Sequence, residues 1–458
     1  MNTFLLNRQL GSVGAHAFAT AQNERLLHAL HATNISFAGR TADSARPVGN
    51  SGSSSKTVSS ELAHPAGCSA LAIDRWEGRY MVTAGADSSV AIYDLERLET
   101  QGHVRHPLSS VSKTSITASL GITDIKFYPF DSLAFLTTGY DHTLKLFSSE
   151  TLKVSAKFDL ASTVYSHATS NVASHLLVAC ATQHPAVRLI DLQSGASAHS
   201  LAGHSGSVLT VAWHPTNENI LASGATDGTV RVWDVRRSAS SLGVLDLDDS
   251  IGVAGYDGKG TGARRRERGR AHTAAVNGIT WTEDGHYLAS TGLDERMRVW
   301  DMTTGANTLA NFGPALKNAR NTILLPLLAP SHLSAAGSEV VFFPCPNEIL
   351  SFDLHNGNML QRLRVVGIKD DTVQTGGTRN LKARTTSLAW RAHHIELYSA
   401  HTDGTIRCWA PRTWEDDVAD EEFKELSGEK EETESKKRKR DELEQIVRNL
   451  TGKQVIYS

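Results

Sequence analysis

The most constraining feature of this sequence is a pair of spaced residues that recurs along the chain. In five places an Asp is followed six residues later by Trp or another large apolar residue: Asp87/Tyr93, Asp141/Phe147, Asp227/Trp233, Asp294/Trp300 and Asp403/Trp409. Two weaker copies, His184/Ile190 and Pro346/Phe352, occupy the gaps that a regular repeat would leave. The second members are 54, 43, 43, 67, 52 and 57 residues apart. Periods of this size indicate repeated structural units, here seven, some of which carry insertions.

Short apolar runs alternate with turn residues inside each unit. In the fourth unit, Val208–Trp213 precedes a Pro-containing turn, Ile220–Gly224 precedes Thr-Asp-Gly, and Val230–Trp233 follows. Runs broken by turns about every ten residues indicate several short strands rather than helices. We therefore predict an all-β fold, a seven-bladed β-propeller whose closure removes exposed sheet edges. The third and sixth units lack the Asp and Trp, and the sixth, around Ile349–Asp353, is assigned mainly by elimination.

Two units carry a complete set of His, Ser, Asp and Trp. The sets are His204, Ser223, Asp227 and Trp233 in the fourth unit and His272, Ser290, Asp294 and Trp300 in the fifth. The Asp can accept hydrogen bonds at a turn, and the His can bridge to it through the Ser and the Trp N–H. His, Ser and Asp together form a catalytic signature in other folds, but recurrence at fixed spacing indicates a structural network. We expect neither enzyme activity nor a cofactor.

Composition limits the class of protein. The chain has 458 residues and a formal net charge of −3, which argues against non-specific nucleic-acid binding by the whole surface. No apolar run approaches the roughly 18 residues of a membrane span. The 20 histidines do not group at metal-ligand spacings, so we expect no metal site. The cysteines form no close pair, which predicts neither a zinc site nor a disulfide framework and favours a reducing compartment; they are Cys68, Cys180, Cys345 and Cys408.

Outside the repeats, the chain divides into segments of distinct composition. Residues 1–31 contain two short apolar stretches, which we interpret as helices detached from the propeller that dock a partner. Residues 32–61 include a Ser/Gly-rich run and are predicted to be a flexible linker. The propeller is assigned to 62–411 and a charged tail with a short helix to 412–458. Because residues 1–40 contain Arg and almost no acid, a mitochondrial targeting segment is the alternative interpretation of the N-terminus.

Two basic runs bear on localisation and ligands. Five consecutive basic residues, Lys436–Arg440, follow an acidic stretch and resemble a nuclear import signal, which predicts a nuclear protein. The run Arg264–Arg270 lies in the longest insertion, where Tyr256 is the one aromatic residue, so we interpret it as a mobile loop rather than a nucleic-acid contact. Gly258-Lys259 is not followed by the Ser or Thr of a phosphate-binding loop, which excludes that nucleotide motif.

Another set of motifs is more specific. It comprises Phe4-Leu5, Arg8-Gln9, Gly11, Glu77-Gly-Arg-Tyr-Met81, Thr143-Leu-Lys-Leu146, Thr163-Val-Tyr-Ser-His167, Trp233-Asp-Val-Arg-Arg237, and Met297-Arg-Val-Trp300 with Asn307-Thr-Leu309. Together these resemble the Cockayne syndrome A protein family, from residue 2 to about residue 411. The Ser/Gly-rich stretch, the 238–270 insertion and the tail depart from that family and leave an added role open.

The resemblance implies a WD-repeat substrate receptor of a cullin-4 RING ubiquitin ligase. Such a receptor binds the ligase through the damaged-DNA-binding protein 1 adaptor and acts in transcription-coupled nucleotide excision repair in the nucleus. The resemblance also implies the transcription-coupled repair ATPase and stalled RNA polymerase II as substrates. The alternative is a nuclear WD-repeat scaffold or chromatin-binding protein that is not attached to a ligase. Neither function is expected to use a membrane or direct sequence-specific nucleic-acid binding.

The residues expected to bind the adaptor lie at two places in the sequence. Trp233-Asp-Val-Arg236 matches the Trp-Asp-x-Arg box of adaptor-binding propellers, and Arg236 is predicted to lie at the bottom rim, where a guanidinium can donate bidentate hydrogen bonds to a partner. Asp94-Leu-Glu, Asp191-Leu-Gln and Asp301-Met-Thr have no Arg at that offset. The predicted adaptor-binding residues are Phe4, Leu5, Arg8, Gln9, Asp234 and Arg236.

A substrate face is predicted at the opposite rim, on the turns that carry the recurrent Asp. The residues directly before these Asp residues are expected to be exposed there: Ala86, Tyr140, Thr226, Leu293 and Thr402. Tyr140 and Leu293 are apolar where solvent favours polar side chains, so we interpret them as part of an interaction site. The alternative is that each packs against a neighbouring loop.

Overall fold

The computed structural model describes most of the repeats and part of the N-terminal segment. The described residues are 2–12, 14–39, 62–97, 104–112, 120–172, 174–195, 197–237, 241–247, 269–318, 323–335, 337–346, 348–364, 384–413 and 418. Most of the predicted linker, residues 248–268 of the insertion, and Lys436–Arg440 with the predicted tail helix lie outside them. The chain divides into two compact units, Met1–Pro411 and Arg412–Ser458.

The first unit begins with two helices and two short strands. They are α1 (Asn2–Gln9), α2 (Ala15–Leu27), β1 (Leu30–Ala32) and β2 (Ser36–Phe37).

Seven blades follow in chain order. Blade 1 contains β3 (Cys68–Ile73), β4 (Tyr80–Gly85), β5 (Val90–Asp94) and β7 (Ser109–Val111), with β6 (Val104–Arg105) before β7; blade 2 contains β8 (Ile122–Tyr128), β9 (Asp131–Gly139), β10 (Thr143–Ser148) and β11 (Val154–Asp159). Blade 3 contains β12 (Val164–Thr169), β13 (Leu177–Thr182), β14 (Ala186–Asp191) and β15 (Ser197–Ala202); blade 4 contains β16 (Val208–Trp213), β17 (Ile220–Ala225), β18 (Val230–Asp234) and β19 (Ser241–Leu245). Blade 5 contains β20 (Val276–Trp281), β21 (Tyr287–Gly292), β22 (Arg296–Asp301) and β23 (Ala306–Asn307); blade 6 contains β24 (Leu327–Leu328), β25 (Val340–Pro344), β26 (Ile349–Asp353) and β27 (Met359–Leu363). Blade 7 contains β28 (Thr385–Trp390), β29 (Leu397–His401) and β30 (Ile406–Pro411), with β1 as its fourth strand.

Every blade is a four-stranded antiparallel sheet, and the predicted seven-bladed propeller is confirmed. The first strands of neighbouring blades contact one another from blade 7 through blade 1 to blade 5, including β28 with β3, and they line the axis of the ring. Blade 6 completes the ring through β25, which contacts β28, and through the apolar cluster that it shares with blade 5. The sixth blade, assigned by elimination from sequence, has strands where they were expected. Its register pairs Val340 with Asp353 and Pro344 with Ile349.

Alternating strand direction puts the turns on two faces. We call the top face the one with the turns between second and third strands and the connections between blades. The bottom face has the turns between first and second strands and between third and fourth strands. The recurrent Asp therefore lies on the top face, and the end of each third strand lies at the bottom face.

The apolar residues that repeat along the strands are buried between blades. The buried side chains form seven clusters, and each cluster joins one pair of neighbouring blades. Blades 4 and 5, for example, share a cluster that includes Val230, Val276 and the fully buried Trp300. A cluster containing Met81 and Tyr398 joins blade 7 to blade 1, so burial of apolar surface stabilises the closure of the ring as it does every other junction.

The N-terminal segment is part of the ring, which corrects two predictions. Helices were expected to be detached in 1–31, and a linker was expected from residue 32. Instead, β1 pairs with β30, so that Leu30 lies opposite Pro411 and Ala32 opposite Trp409. Leu27 at the end of α2 is buried with blades 6 and 7. Nothing in the sequence of this three-residue strand identifies the strand with which it pairs. Its position depends on β30, whose outer edge would otherwise be unpaired.

A second contact extends this closure to blade 1. β2 runs parallel to β6, and Phe37 packs edge-on against Tyr93 of blade 1 and Tyr398 of blade 7, with ring centroids 5.2 and 6.1 Å away. The Tyr93 hydroxyl donates to the backbone oxygen of Ala38 at 3.2 Å. Residues 30–38 therefore bridge the first and last blades, and the propeller begins at Leu30 rather than at residue 62.

Two further expectations concern the cysteines and the membrane. All four cysteines lie in described residues, where they are buried and free. Neither of the helices in the described part of the chain is long and apolar enough to cross a bilayer.

Candidate interaction faces

The His–Ser–Asp–Trp set of blade 4 forms a continuous chain of hydrogen bonds. Trp233 Nε1 donates to Ser223 Oγ at 2.7 Å, and Ser223 Oγ lies 2.7 Å from His204 Nε2. His204 Nδ1 lies 2.9 Å from Thr229 Oγ1, which donates to Asp227 Oδ1 at 2.7 Å. Thr229 thus connects the ring to the carboxylate, a role that sequence reasoning did not assign. Burial opposes ionisation of Asp227, but hydrogen bonds from His204 and Thr229 outweigh it and lower the pKa of this carboxyl far below its ordinary value.

Blade 5 repeats the arrangement with a direct contact between the ring and the carboxylate. His272 Nδ1 lies 2.9 Å from Asp294 Oδ1, and His272 Nε2 lies 2.8 Å from Ser290 Oγ, to which Trp300 Nε1 donates at 2.9 Å. Arg298 donates to Asp294 Oδ2 at 2.8 Å. Burial lowers the pKa of His272, so its ring is neutral. Ser290, like Ser223 in blade 4, has no exposed surface and cannot reach a substrate.

Blade 1 has a related network that sequence reasoning missed. His64 Nε2 lies 2.8 Å from Thr83 Oγ1, and Nδ1 lies 2.6 Å from Ser89 Oγ, which donates to Asp87 Oδ1 at 2.5 Å. His64 precedes its first strand by four residues, as His204 does, and this spacing was the available signal. The signal was hidden because Thr83 replaces the Ser and Tyr93 replaces the Trp.

In blade 7 the histidine that contacts the buried serine comes from the second strand and not from the loop before the first strand. Trp409 Nε1 donates to Ser399 Oγ at 2.9 Å, and His401 Nε2 lies 2.9 Å from the same oxygen. His401 ends the second strand, so no loop histidine is needed. Thr405 donates to Asp403 Oδ1 at 2.6 Å. Four of the seven turns are therefore fixed by buried His and hydroxyl groups.

Arg236 lies on the bottom face at the end of β18, as the box predicts. Its side chain is 69% exposed, whereas that of Asp234 is 7% exposed. Arg236 Nε donates to Asp234 Oδ1 at 3.1 Å and Nη2 donates to Oδ2 at 2.9 Å. The bidentate fork is thus already used within the chain, which corrects the expectation that it is free for a partner. Guanidinium has five N–H donors, so an incoming group can still bind the remaining ones.

Blade 1 offers a comparable pair at the same rim. Arg79, from the turn between β3 and β4, donates to both oxygens of Asp94 at 2.8 to 3.2 Å and so reproduces the Asp–Arg pair in blade 1. Arg412 stands at the same offset from Trp409 as Arg236 from Trp233, but Ala410 replaces the Asp. The Asp–Arg pair of the Trp-Asp-x-Arg box therefore stabilises a local turn whether or not a partner binds it. An inference that a partner binds the box has to be based on other observations.

The predicted adaptor residues of the N-terminus lie on α1. The side chains of Phe4 and Leu5 are outside the described residues. The guanidinium carbon of Arg8 lies 4.1 Å from the centroid of the Phe18 ring in α2, so Arg8 connects the two helices. Gln9 is exposed.

The contacts of α2 show which face this helix covers. Asn23 donates to the backbone oxygen of His332 at 3.1 Å, in the turn between β24 and β25 on the bottom face of blade 6. Leu6 on α1 and Leu10, directly after that helix, are exposed, Leu10 by 73%. The helices and Arg236 share the bottom face, but α2 lies on blades 6 and 7 and Arg236 lies on blade 4.

An exposed apolar surface on the bottom face was not predicted. It consists of Trp76, Phe130, Leu133, Val172 and Leu176, all in or beside turns between the first and second strands of blades 1, 2 and 3. We call this set the bottom apolar patch. Trp76 is 58% exposed although its Nε1 donates to the backbone oxygen of Pro129 at 3.0 Å.

The patch lies next to blade 7 and hence to the side of the ring that α2 covers. His393 in the first turn of blade 7 lies 2.9 Å from the backbone oxygen of Trp76. Apolar residues in turns that usually carry polar ones were the sequence signal. Exposed apolar groups grouped on one face of a propeller mark an interaction surface.

The predicted substrate residues all lie on the top face but do not form one group. Tyr140 is 48% exposed, and Leu293, Thr226 and Thr402 are half-buried. Tyr140 belongs to blade 2 and Leu293 to blade 5, so two blades separate them. The apolar neighbour of Tyr140 is instead Leu120, which is exposed and precedes Gly121, whose backbone oxygen accepts from Tyr140 N at 3.1 Å.

The described residues contain no group of three or more His, Cys, Asp or Glu side chains placed to bind a metal ion. The buried serines and neutral histidines serve the turns, and the two faces present apolar, aromatic and guanidinium groups. This arrangement is that of a protein-binding surface.

These features define the class of protein as a seven-bladed WD-repeat propeller. The WD domain, G-beta repeat family matches residues 195–234 and 266–301, which contain the two complete turn networks.

The chain is similar to three curated proteins over different lengths. The WD repeat-containing protein ATCSA-1 of Arabidopsis thaliana is 28% identical over 79% of this chain and 89% of its own length. Radiation-sensitive protein 28 of Saccharomyces cerevisiae is 25% identical over 42% of this chain and 41% of its own. The ribosome biogenesis protein ytm1 of Neurospora crassa is 26% identical over 52% and 54%.

Proposed function

We propose that this protein is the substrate-recognition subunit of a cullin-4 RING ubiquitin ligase, bound through the damaged-DNA-binding protein 1 adaptor. In this proposal it acts in transcription-coupled nucleotide excision repair in the nucleus, where Lys436–Arg440 serves as its import signal. The protein itself catalyses no reaction. Its substrates are the transcription-coupled repair ATPase and stalled RNA polymerase II. The similarity to ATCSA-1 over most of both chains supports this proposal, together with the motifs that resemble the Cockayne syndrome A family.

The adaptor proposal is based mainly on the exposed apolar side chains and the helices of the bottom face. Leu6 of α1 and Leu10 directly after it are exposed, and the adjoining α2 is anchored to that face through Asn23 and Leu27. A helix that only closed the propeller would have no need for a second helix with exposed leucines. The bottom apolar patch and Arg236 extend the same face over blades 1 to 4, which gives an interface with apolar and Arg anchors of the kind that dominate binding energy.

The variants that test adaptor binding must leave the propeller folded. Deletion of residues 2–31 would remove most of β1, so loss of binding after that deletion could not be told from unfolding. The sharper variant is Leu6→Ser with Leu10→Ser in the full chain, measured against purified adaptor by biolayer interferometry. We expect at least about tenfold weaker binding, because apolar anchors at such interfaces are commonly worth more than about 1.4 kcal/mol.

A matched control is available on another part of the ring. Leu309 is 73% exposed, as Leu10 is, but it follows β23 in blade 5. Leu309→Ser should leave adaptor binding unchanged, whereas Arg236→Ala should weaken it. Equal affinity of the Leu6/Leu10 variant and the unmodified chain would contradict the proposal.

The alternative function is a nuclear WD-repeat scaffold or chromatin-binding protein without a ligase. Similarity to a ribosome biogenesis protein over about half of each chain is the observation on its side. The two functions separate in a reconstituted reaction that contains adaptor, cullin-4 RING ligase and the repair ATPase. Ubiquitin transfer to the ATPase that depends on this chain supports the receptor, and adaptor-free chain in nuclear extracts supports the scaffold.

A further inference from the structure

Arg188 of blade 3 occupies a position at which other blades also have a basic residue, but the Asp, His and Ser that surround this position in the complete turn networks are replaced in blade 3. The residue two before the Trp-equivalent is basic in five blades, and it lies opposite the second-strand Ser or its substitute. In three of them the turn Asp, four residues earlier, lies close to it. The distances are 2.7 Å for Lys145–Asp141, 2.8 Å for Arg298–Asp294 and 3.7 Å for Arg407–Asp403. In blade 4, Arg231 donates instead to Ser241 Oγ at 3.3 Å.

Blade 3 keeps the cation and replaces the rest of the network. Leu160 stands four residues before the first strand, where blades 4 and 5 have His204 and His272, and Cys180 replaces the serine. His184 replaces the Asp, and Ile190 replaces the Trp. Leu160, Cys180 and Ile190 are buried together in one apolar cluster, so none of them can accept a charge-assisted hydrogen bond.

The guanidinium of Arg188 consequently has no partner among the described residues. Its Nε is buried without a hydrogen-bond partner, and the residue as a whole is half-buried. The carboxylates that end β11 and β14 are engaged by other groups: Asp159 accepts from the backbone N–H of Ala161 at 2.8 Å, and Asp191 accepts from Gln193 and Ser194. A buried donor without an acceptor costs stability. The Nε of Arg231 in blade 4 is also buried without a partner, but that guanidinium still donates to Ser241 Oγ through Nη1, whereas Arg188 has no such bond within the described part of the chain.

The segment before blade 3 contacts the top turn of blade 2. Leu160, which takes the place of the histidine that contacts the equivalent arginine in blade 5, donates its backbone N–H to the oxygen of His142 at 2.9 Å. His142 is exposed and belongs to the same turn as the exposed Tyr140. The top turn of blade 2, which carries Tyr140, is thus bonded directly to the segment that leads into blade 3.

We propose that the top rim of blades 2 and 3 binds an acidic segment of a partner protein, whose Asp or Glu carboxylate pairs with Arg188 beside Tyr140. Guanidinium matches a carboxylate in charge and in planar geometry. A phosphate carries more charge and is typically bound by clusters of Arg, whereas blade 3 presents one cation at this site. The occupant we assign is thus an extended peptide with one acidic residue flanked by apolar residues. This inference does not depend on attachment to a ligase.

The test uses the full chain and matched peptide probes. A fluorescein-labelled pool of hexapeptides has Glu fixed at one central position and apolar residues varied around it, and two control pools have Gln or phosphoserine at that position. We expect the unmodified chain to retain the Glu pool about fivefold more than the Gln pool, as one charge-assisted hydrogen-bonded pair provides. Arg188→Met should remove that preference. Arg296→Met, which removes an exposed arginine beside the top turn of blade 5, should keep it.

Folding is measured on the same variants by thermal unfolding. Arg188→Met keeps the apolar stem and removes an unpaired donor, so we expect its melting temperature to equal or exceed that of the unmodified chain. Equal retention of the Glu and Gln pools, or an unchanged Glu preference in Arg188→Met, overturns the proposal. Stronger retention of the phosphoserine pool that is lost in Arg188→Met would overturn the assignment of a carboxylate. A lower melting temperature with unchanged preference would assign Arg188 to packing alone.

Discussion

Single residues in this protein combine apolar burial with hydrogen bonding at the same turn. Ser223 and Ser290 each connect a buried indole N–H to a buried histidine ring, and each ring leads on to a carboxylate. Because the indole is fully buried, its N–H would lose several kcal/mol of hydration if no acceptor were present. The serine is therefore a structural acceptor, and its resemblance to a catalytic serine ends at its burial.

The carboxylate of Asp294 should be the most costly of these groups to remove. It accepts from both His272 and Arg298, and Asp294→Ala would leave a buried charged donor without its partner. We expect a loss of about 3 kcal/mol in the free energy of unfolding, measured by urea denaturation. Asp301→Ala in the same blade is the control, because that carboxylate accepts mainly from exposed Thr303 and should cost much less. Equal stability of Asp294→Ala and the unmodified chain would refute the structural role.

The buried histidines predict how stability depends on pH. Burial lowers the pKa of His64 and of His167 from the ordinary 6.5 to about 4. The folded chain therefore binds fewer protons than the unfolded chain between these values. The stabilisation is fully present above pH 6.5 and is lost as the pH falls toward 4.

Unfolding free energies at pH 7.5, 6 and 5 test this dependence. They should decrease in that order, and His64→Asn should show a shallower decrease than the unmodified chain. A free energy of unfolding that rises between pH 7.5 and pH 5 would contradict this account.

Elements of the chain differ in how far their sequence determines their place. The spacing of Asp and Trp predicted seven blades because each turn needs the same few groups. Blade 6 was assigned mainly by elimination, because its unit lacks the recurrent Asp and Trp. By contrast, the sequence of β1 is only Leu-His-Ala. Its position is determined by the free edge of β30, which lies almost 380 residues later in the chain.

The candidate site shows the same limit. Arg236 and Tyr140 were placed on the correct faces from the alternation of turns, which is a local property. The bottom apolar patch, the engagement of Arg236 by Asp234, and the distance between Tyr140 and Leu293 depend on which blades are neighbours. Those relations are set by the closed ring and have no signal within any single repeat.

The closure of the ring predicts a difference in stability between changes at Leu27, in α2, and at Leu10, which follows α1. Leu27 is 1% exposed in the cluster of blades 6 and 7, whereas Leu10 is among the most exposed apolar residues. Leu27→Ala should lower the free energy of unfolding by about 3 kcal/mol, as is typical when a buried leucine leaves a cavity. Leu10→Ala should leave it within about 0.5 kcal/mol. Chemical denaturation of both variants checks this, and equal stabilities would mean that α2 does not contribute to closure.

The whole molecule separates its two expected partners by strand geometry. The groups proposed to bind the adaptor lie at the ends of third strands and in first turns on the bottom face and in or beside α1, while Tyr140 and Arg188 are assigned to the top rim of blades 2 and 3. The ring between the two faces is rigid, because an apolar cluster joins every pair of neighbouring blades. Binding at one face should therefore leave affinity at the other unchanged unless the ring opens.

The last prediction uses this separation to locate the substrate face. Tyr140→Ser should weaken recruitment of the repair ATPase by about tenfold and leave adaptor affinity unchanged, because an exposed aromatic anchor is lost on the top face only. Leu6→Ser with Leu10→Ser should do the reverse. Leu293→Ser is informative because this half-buried residue lies in blade 5, so its effect on the ATPase should be small and additive with that of Tyr140→Ser. Both affinities are measured on the same purified variants. Loss of both in Tyr140→Ser would indicate misfolding, and a dominant effect of Leu293→Ser would move the substrate site to blade 5.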